Sequence, residues 1–132
     1  MAAAHKIKTL SNEIWIDDEG ILILKLVESG ELDLTEVTAC FEAYKQLGIG
    51  PSNKVLQLID VRQDGSMTHE GRNYAAEHGK NFFIASAVIS DSLAIRMIVN
   101  FFNAFYKHPV PFKMFADEED ARKWLKTFIG KK

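Results

Sequence analysis

Polar side chains that could bind a ligand gather between residues 60 and 72. This stretch holds three acidic residues, two arginines and two hydroxyl residues: Asp60, Asp64, Glu70, Arg62, Arg72, Ser66 and Thr68. It follows an apolar run, Lys54 to Val61, that has the composition of a buried strand. In open α/β sheets, ligands bind at the carboxyl ends of the strands, and a helix starting at Thr68 would direct amide groups toward an anion. Two interpretations stay open: a binding site, or a set of helix caps and ion pairs.

The other reactive side chains form no catalytic or metal-binding pattern. The four histidines, at positions 5, 69, 78 and 108, lack the spacing that sets two metal ligands on one helix face. Ser66, His69 and Asp60 could be arranged as a triad, but no nucleophile elbow surrounds the serine. No glycine-rich phosphate loop occurs. We therefore predict that the protein is not an enzyme and has no catalytic residue, metal site or cofactor.

A long apolar helix is predicted from Asp91 to Lys107, with its N-cap within Ser90 to Ser92. Its strongly polar residues recur at steps of four, three and four and draw one narrow stripe. They are Arg96, Asn100, Asn103 and Lys107. The rest, including Phe101 and Phe102, is apolar over far more than the ~100° face of an ordinary surface helix. A neighbouring helix, a second subunit or a ligand must cover the surplus.

We predict that a second subunit, in a homodimer, covers the surplus apolar surface of this helix. Leu93, Met97, Phe101 and Phe105 form one apolar face, and a second face is rotated from it. A two-fold contact is the commonest way to hide such a surface. The alternative is that the closing helix and the Pro109–Pro111 turn cover it within the monomer.

Composition indicates an ordinary globular protein. The chain has 132 residues, which predicts one domain over 1–132, with a loose leader over 1–11. A net charge of −2 gives no electrostatic reason to expect nucleic acid or an anionic membrane as partner. No apolar window is long enough to span a membrane, and no signal peptide is visible, so we expect a cytoplasmic protein. The single cysteine, Cys40, excludes an internal disulfide and is predicted to be a buried, inert thiol.

The order of predicted elements is β-β-α-β-α-β-α-β-α. Such alternation is typical of an α/β fold, here a mostly parallel five-stranded sheet with an antiparallel first strand and four helices. Asp33 or Thr35, Thr68 and Asp117 are the predicted helix caps. In the closing helix the spacing of the apolar residues predicts that Trp124 is buried against the sheet.

Several short segments together resemble a known family. They are Asp17–Gly20, Leu58–Asp60, Thr68-x-Glu70, Asn100–Phe102, Pro111–Phe115 and Asp117–Leu125. With the order of elements, they resemble the STAS domains of anti-sigma-factor antagonists, and more closely the SpoIIAA-like group of small STAS/Sec14-type proteins. The phosphorylated antagonists carry an Asp-Ser-Ser-Gly-like turn after the third strand, which is absent here. Ser66 or Thr68 could take the place of the modified serine.

The resemblance implies two functions. The first is a non-enzymatic regulatory or protein-interaction module that contacts its partner through Asp60 to Arg72. The alternative is a small-molecule or lipid carrier, as in Sec14-type relatives, with a pocket for a small apolar ligand between the 91–107 helix, the closing helix and the sheet. The candidate binding residues are Asp60, Arg62, Ser66, Thr68, Glu70, Arg72, Arg96, Asn100, Phe101 and Phe102.

Overall fold

The structure, a computed structural model, describes residues 6–27, 30–61, 65–93, 96–97 and 110–129. Its strands are β1 (Ile7–Lys8), β2 (Asn12–Ile16), β3 (Leu22–Leu26), β4 (Gly30–Leu32), β5 (Val55–Asp60), β6 (Gly65–Met67), β7 (Phe83–Ile89) and β8 (Phe112–Phe115). Its helices with defined bounds are α1 (Leu34–Gln46), α2 (His69–Gly79) and α3 (Glu118–Lys126).

The main sheet has six strands in the order β1-β2-β3-β5-β7-β8. β1 and β3 each pair with β2 in the antiparallel sense, whereas β3, β5, β7 and β8 run parallel. The α/β class and the antiparallel hairpin are therefore as predicted. The strand number is a correction, because the expected leader over 1–11 contributes β1 as a sixth strand.

A second correction concerns the connections at the carboxyl edge of the sheet. β4 and β6 pair in parallel as a separate two-stranded sheet, which the predicted order of elements does not contain. The amide of Thr68 donates to the carbonyl of Leu32 at 2.9 Å and extends this contact. The pairing joins the connection before α1 to the connection before α2.

Each of the three helices begins at a predicted cap. The side chain of Asp33 accepts from the amide of Glu36 at 2.9 Å, and that of Asp117 accepts from Asp120 at 2.8 Å. Thr68 Oγ1 accepts from the amide of Gly71 at 3.0 Å. Because these oxygens satisfy amides that have no partner inside a helix, they fix where each helix starts.

The predicted fourth helix, 91–107, lies mostly outside the described residues. Leu93, Arg96 and Met97 are helical. The Ser92 amide contacts Ser90 Oγ at 3.3 Å and the Arg96 amide donates to the Ser92 carbonyl at 3.0 Å, as expected for a helix that starts at Ser90 to Ser92.

Two apolar clusters lie on opposite faces of the main sheet. On the first face, Phe41 of α1 makes edge contacts with Tyr44, Tyr74 and Phe82, at ring-centroid distances of 5.0 to 5.3 Å. On the second face, α3 packs over β5, β7 and β8. Small residues, Ala85, Ala87 and Ala121, are fully buried there and let the helix lie close to the strands.

Trp124 departs from its prediction. Ala121 and Leu125 take the fully buried positions of α3, at 0% exposure, while Trp124 is only half-buried. It packs at the margin of the second cluster against Phe115 and Phe128, with ring centroids 5.7 and 4.9 Å away. The helix packs on the sheet as expected. It is rotated about its axis so that Ala121 and Leu125 face the strands and the indole of Trp124 lies to one side of them.

Candidate functional site

The carboxyl edge of the parallel strands brings together part of the predicted site. Asp60 is the last residue of β5 and is 9% exposed, and Thr68 caps α2 after the β6 pairing. Glu70 and Arg72 lie in the first turn of α2 and are exposed. The end of β5 and the first turn of α2 thus place Asp60, Glu70 and Arg72 at this edge of the sheet.

Ser66 occupies a position that the sequence did not suggest. Its backbone lies in β6 and pairs in register with Glu31 of β4. The segment that follows β5 therefore forms a short strand at Ser66. Thr68, the other candidate for modification, already uses its hydroxyl oxygen as the cap of α2.

Arg96 is placed at the same edge by the turn that follows β7. Its guanidinium Nη1 donates to the carbonyl of Ser90, and the Ser90 amide donates to the carbonyl of Phe115 at 3.0 Å. The half-buried arginine therefore braces the start of its own helix. The remaining candidates, Arg62, Asn100, Phe101 and Phe102, lie outside the described residues.

A second charged cluster, which sequence reasoning missed, joins α3 to the β2–β3 turn. The Arg122 guanidinium contacts Asp17 Oδ2 at 2.8 Å, Glu19 Oε1 at 2.7 Å and Glu118 Oε2 at 2.7 Å. Lys126 Nζ contacts Glu19 Oε2 at 2.6 Å. Only the pair Glu118 and Arg122, four residues apart on one helix, carries a signal readable from sequence.

Charges in this cluster shift one another's protonation. The pKa of Glu19 is lowered, chiefly by the hydrogen bond from Lys126. Desolvation acts to raise it, and the positive charges of Lys126 and Arg122 act to lower it. For Arg122, burial acts to lower the pKa, but hydrogen bonds to Glu118 and Asp17 outweigh it and the pKa is raised. An open depression of about 410 Å³ lies beside the cluster and is lined by Trp15, Asp17, Asp18, Glu19 and Arg122. Since its arginine is bound to three carboxylates, the cluster acts as a brace.

Two buried polar groups inside the first face were also missed. Glu36, 3% exposed, accepts from Thr9 Oγ1, from the amides of Leu10 and Ser11 at 3.2 and 3.0 Å, and from Asn12 Nδ2 at 2.6 Å. The sequence indicated only that Glu36 suits the positive end of α1. No local pattern reveals that it reaches the β1–β2 connection, twenty-five residues away from Ser11.

The other buried group is a chain of three side chains between α1, β5 and β7. Gln57 Nε2 donates to the Tyr44 hydroxyl at 3.1 Å, and Ser86 Oγ donates to Gln57 Oε1 at 2.7 Å. Burial, with a smaller effect from Cys40, raises the pKa of Tyr44 well above its ordinary value. The chain satisfies polar groups in the core, where its three residues are only 2 to 7% exposed.

Cys40 is buried as predicted. Desolvation and then the charge of Glu36 raise the pKa of its thiol to about 12, against a small lowering by Thr9. A thiol with such a pKa is a poor nucleophile near neutral pH.

Across the described ranges, no three histidine, cysteine or acidic side chains come close enough to hold a metal ion. None of the described helices is long and apolar enough to cross a membrane.

Comparison with known proteins places this geometry in a family. The model of the family described as "Domain of unknown function (DUF7793)" matches residues 14–129. The chain belongs to that family. No curated protein matches it.

The fold itself has a solved counterpart. The chain is similar to a crystal structure described as an uncharacterized protein of the DUF3478 family with a SpoIIAA-like fold, from Shewanella loihica PV-4. The TM-score is 0.60 at 20% identity, and the match covers 93% of this chain and 92% of that one. This DUF7793 family member thus has the SpoIIAA-like fold that its sequence resembles, and the carboxyl edge described above is an edge of that fold.

Proposed function

We propose that this DUF7793 family member is a non-enzymatic, STAS-type regulatory or protein-interaction module that acts in the cytoplasm. Its partner binds the surface formed by Asp60, Thr68, Glu70 and Arg72, which we term the α2 platform. The observation that carries the proposal is the β4–β6 pairing with the Thr68 cap. It links the connections that lead into α1 and α2 at the edge of the sheet.

This backbone pairing supports a binding role, because a surface that is ordered before contact loses less conformational entropy on binding. The α2 platform also exposes charges of both signs, Glu70 and Arg72, with Glu31 on the neighbouring strand. Charged groups at an interface give specificity and a faster encounter more than they give affinity. The SpoIIAA-like fold supports the same class of function.

The test is capture of a binding protein by the full chain and by charge variants. Arg72→Glu changes the α2 platform, whereas Glu77→Lys changes a charge on the exposed far end of the same helix and serves as the matched control. A partner that binds the wild type and Glu77→Lys, but loses at least tenfold in affinity for Arg72→Glu, supports the proposal; one such buried charge contact corresponds to about 1.4 kcal/mol or more. A partner indifferent to Arg72→Glu contradicts it.

We further propose that the module is a homodimer. Two apolar side chains at the start of the 91–107 helix support this proposal, because Leu93 and Met97 are 62% and 64% exposed. A second subunit would remove them from water. The same two residues also favour the alternative, a carrier of a small apolar ligand. Against a pocket under α3 stands the close packing of Ala121 and Leu125 on the strands, both at 0% exposure. Native mass spectrometry of the purified chain separates these: a retained acyl-chain mass indicates the carrier, and a ligand-free doubled mass indicates the dimer.

A further inference from the structure

A tryptophan ring and a surplus of negative charge meet at the outer end of the β2–β3 hairpin. They line the open depression of about 410 Å³ beside Arg122. Trp15 lies in β2 and Asp17 follows the last residue of that strand, so their side chains project from the same face of the sheet. Asp18 and Glu19 of the turn complete the lining. The depression therefore has one aromatic wall and an acidic rim.

The brace does not balance the negative charge of this rim. Its two cations, Arg122 and Lys126, pair with three carboxylates. The lowered pKa of Glu19 keeps one of these carboxylates ionised at neutral pH. Asp18 adds a fourth carboxylate, which is exposed and forms no hydrogen bond or ion pair with another side chain of the described residues. Two negative charges are therefore left over at the depression, and one of them belongs to a carboxylate without a partner in the described part of the chain.

The aromatic wall already binds a cation from the chain itself. The ammonium group of Lys6 lies 4.4 Å from the centroid of the Trp15 ring, within the distance of about 6 Å at which a ring attracts a cation. The pairing of Ile7 with Ile14 sets Lys6 beside Trp15 on neighbouring strands. Because Lys6 is exposed, this contact is weak and another ammonium group can take its place.

We propose that this depression binds an organic ammonium group, which packs on the ring of Trp15 and pairs with the carboxylate of Asp18. Two sources share this chemistry: a lysine side chain of a protein segment, and a free polyamine. The ligand takes the place of Lys6 on the ring, so that Lys6 acts as a competitor built into the chain. The brace stays intact, because Arg122 keeps its own three carboxylates.

Other classes of ligand fit this lining less well. The surplus of carboxylates repels an anion. A metal ion needs several ligating side chains around one point, and no three of them converge in the described ranges. An apolar ligand would contact Trp15 but would take charge from water at the rim without giving it a partner. An ammonium group alone is attracted both by the ring and by the free carboxylate.

The test is an NMR titration of the full chain labelled with ¹⁵N, in which the indole N–H of Trp15 reports binding. Spermidine supplies the free polyamine, and the peptide acetyl-Gly-Lys-Gly-amide supplies the lysine side chain. Trp124, which packs against Phe115 and Phe128 on the other flank of α3, is the internal reference. We expect the Trp15 signal to shift with a dissociation constant of about 1 mM or below at low salt, while the Trp124 signal stays in place.

Two variants should change the affinity in opposite directions. Asp18→Asn removes the free carboxylate, and we expect it to weaken binding about three- to tenfold. Lys6→Ala removes the competing ammonium group, and we expect binding to tighten about two- to fivefold. The matched control is Glu42→Gln, which removes an exposed carboxylate from α1, on the opposite face of the sheet, and should leave the affinity unchanged. A general attraction of amines to an acidic protein would affect Asp18→Asn and Glu42→Gln equally and would contradict the site.

The two probes also separate the sources of the ligand. Binding of both supports the ammonium site, whereas binding of spermidine alone assigns a free polyamine and binding of the lysine peptide alone assigns a protein segment. If a peptide with norleucine in place of lysine shifts the Trp15 signal as strongly, the contact is apolar and the proposal is wrong. An unmoved Trp15 signal with either probe up to about 10 mM, or weaker binding by Lys6→Ala, overturns it as well. These outcomes are independent of the α2 platform and of the homodimer, which have their own tests.

Discussion

The guanidinium of Arg122 lies 2.8 Å from the carboxylate of Asp17 and so ties α3 to the β2–β3 turn. Asp17 also organises that turn, because its Oδ1 accepts from the amides of Glu19 and Ile21 at 2.9 and 3.0 Å. Gly20 closes the turn at φ +79°, a left-handed conformation that favours glycine. One carboxylate therefore fixes both the hairpin and the position of the closing helix.

Removal of Arg122 should destabilise the protein measurably. We expect Arg122→Ala to lower the free energy of unfolding by about 1–2 kcal/mol, because its charged hydrogen bonds are mostly shielded, with 22% of the side chain exposed. Urea unfolding measures this. The matched control is Lys45→Ala, whose pair with Glu42 is exposed on both sides and should change stability by less than about 0.5 kcal/mol. Equal losses for the two variants would contradict the brace.

The same brace should weaken in acid. The lowered pKa of Glu19 means that the folded protein binds a proton less readily than the unfolded chain, so this group stabilises the fold above its ordinary pKa, near 4.5. That contribution is lost as the pH falls below about 4.5 toward the lowered value. We expect the stability difference between wild type and Glu19→Gln to shrink over that range in urea unfolding followed from pH 7 to pH 3. A difference that grows in acid would refute this assignment.

Glu36 should hold the β1–β2 connection against α1. Glu36→Ala removes one buried acceptor from four donors, and we expect a loss of about 2–4 kcal/mol. Hydrogen exchange supplies the specific readout, because the amides of Leu10 and Ser11 should lose protection first. Glu42→Ala, on the exposed side of the same helix, is the control. Retained protection of both amides in Glu36→Ala would show that the carboxylate does not hold this connection.

The Thr68 cap should be worth about 1 kcal/mol, within the usual range for such residues. Thr68→Ala removes the oxygen that accepts from Gly71. Thr35→Ala changes an exposed threonine of α1 that is not its cap and should be nearly neutral. Thermal unfolding of both variants gives the comparison. Equal behaviour of the two would mean that the cap contributes nothing to stability.

Trp124→Ala should cost about 2–3 kcal/mol, less than the ~3–5 kcal/mol of a fully buried aromatic side chain, because the indole is half-buried. Leu125→Ala, at a position with 0% exposure, should cost at least as much despite its smaller side chain. Denaturant unfolding of the two variants shows which of the two side chains contributes more to the packing of α3 on the sheet. A Trp124→Ala loss well above that of Leu125→Ala would indicate that the tryptophan is the central contact.

The sequence by itself determined the elements whose cause is local. Helix starts are predicted at Asp33, Thr68 and Asp117, because each capping side chain accepts from a backbone amide only three residues further along. The apolar runs in β3, β5 and β7 predict buried strands, and the short link after Asp17 requires an antiparallel hairpin. The parallel order of the sheet followed from the alternation of these elements, and the SpoIIAA-like fold from their resemblance.

Only the tertiary structure decided what depends on residues far apart in the chain. The β4–β6 pairing joins two three-residue segments that carry no strand signal of their own, and it places Ser66 in a strand. Glu36 and Arg122 are ordinary charged residues in sequence, but each collects partners from elements packed beside it. Only the register of four strands sets Lys8, Glu13, Lys25 and Asp60 side by side. Pairing register and helix rotation are set by the packing of the whole sheet, and a local pattern of residues does not contain them.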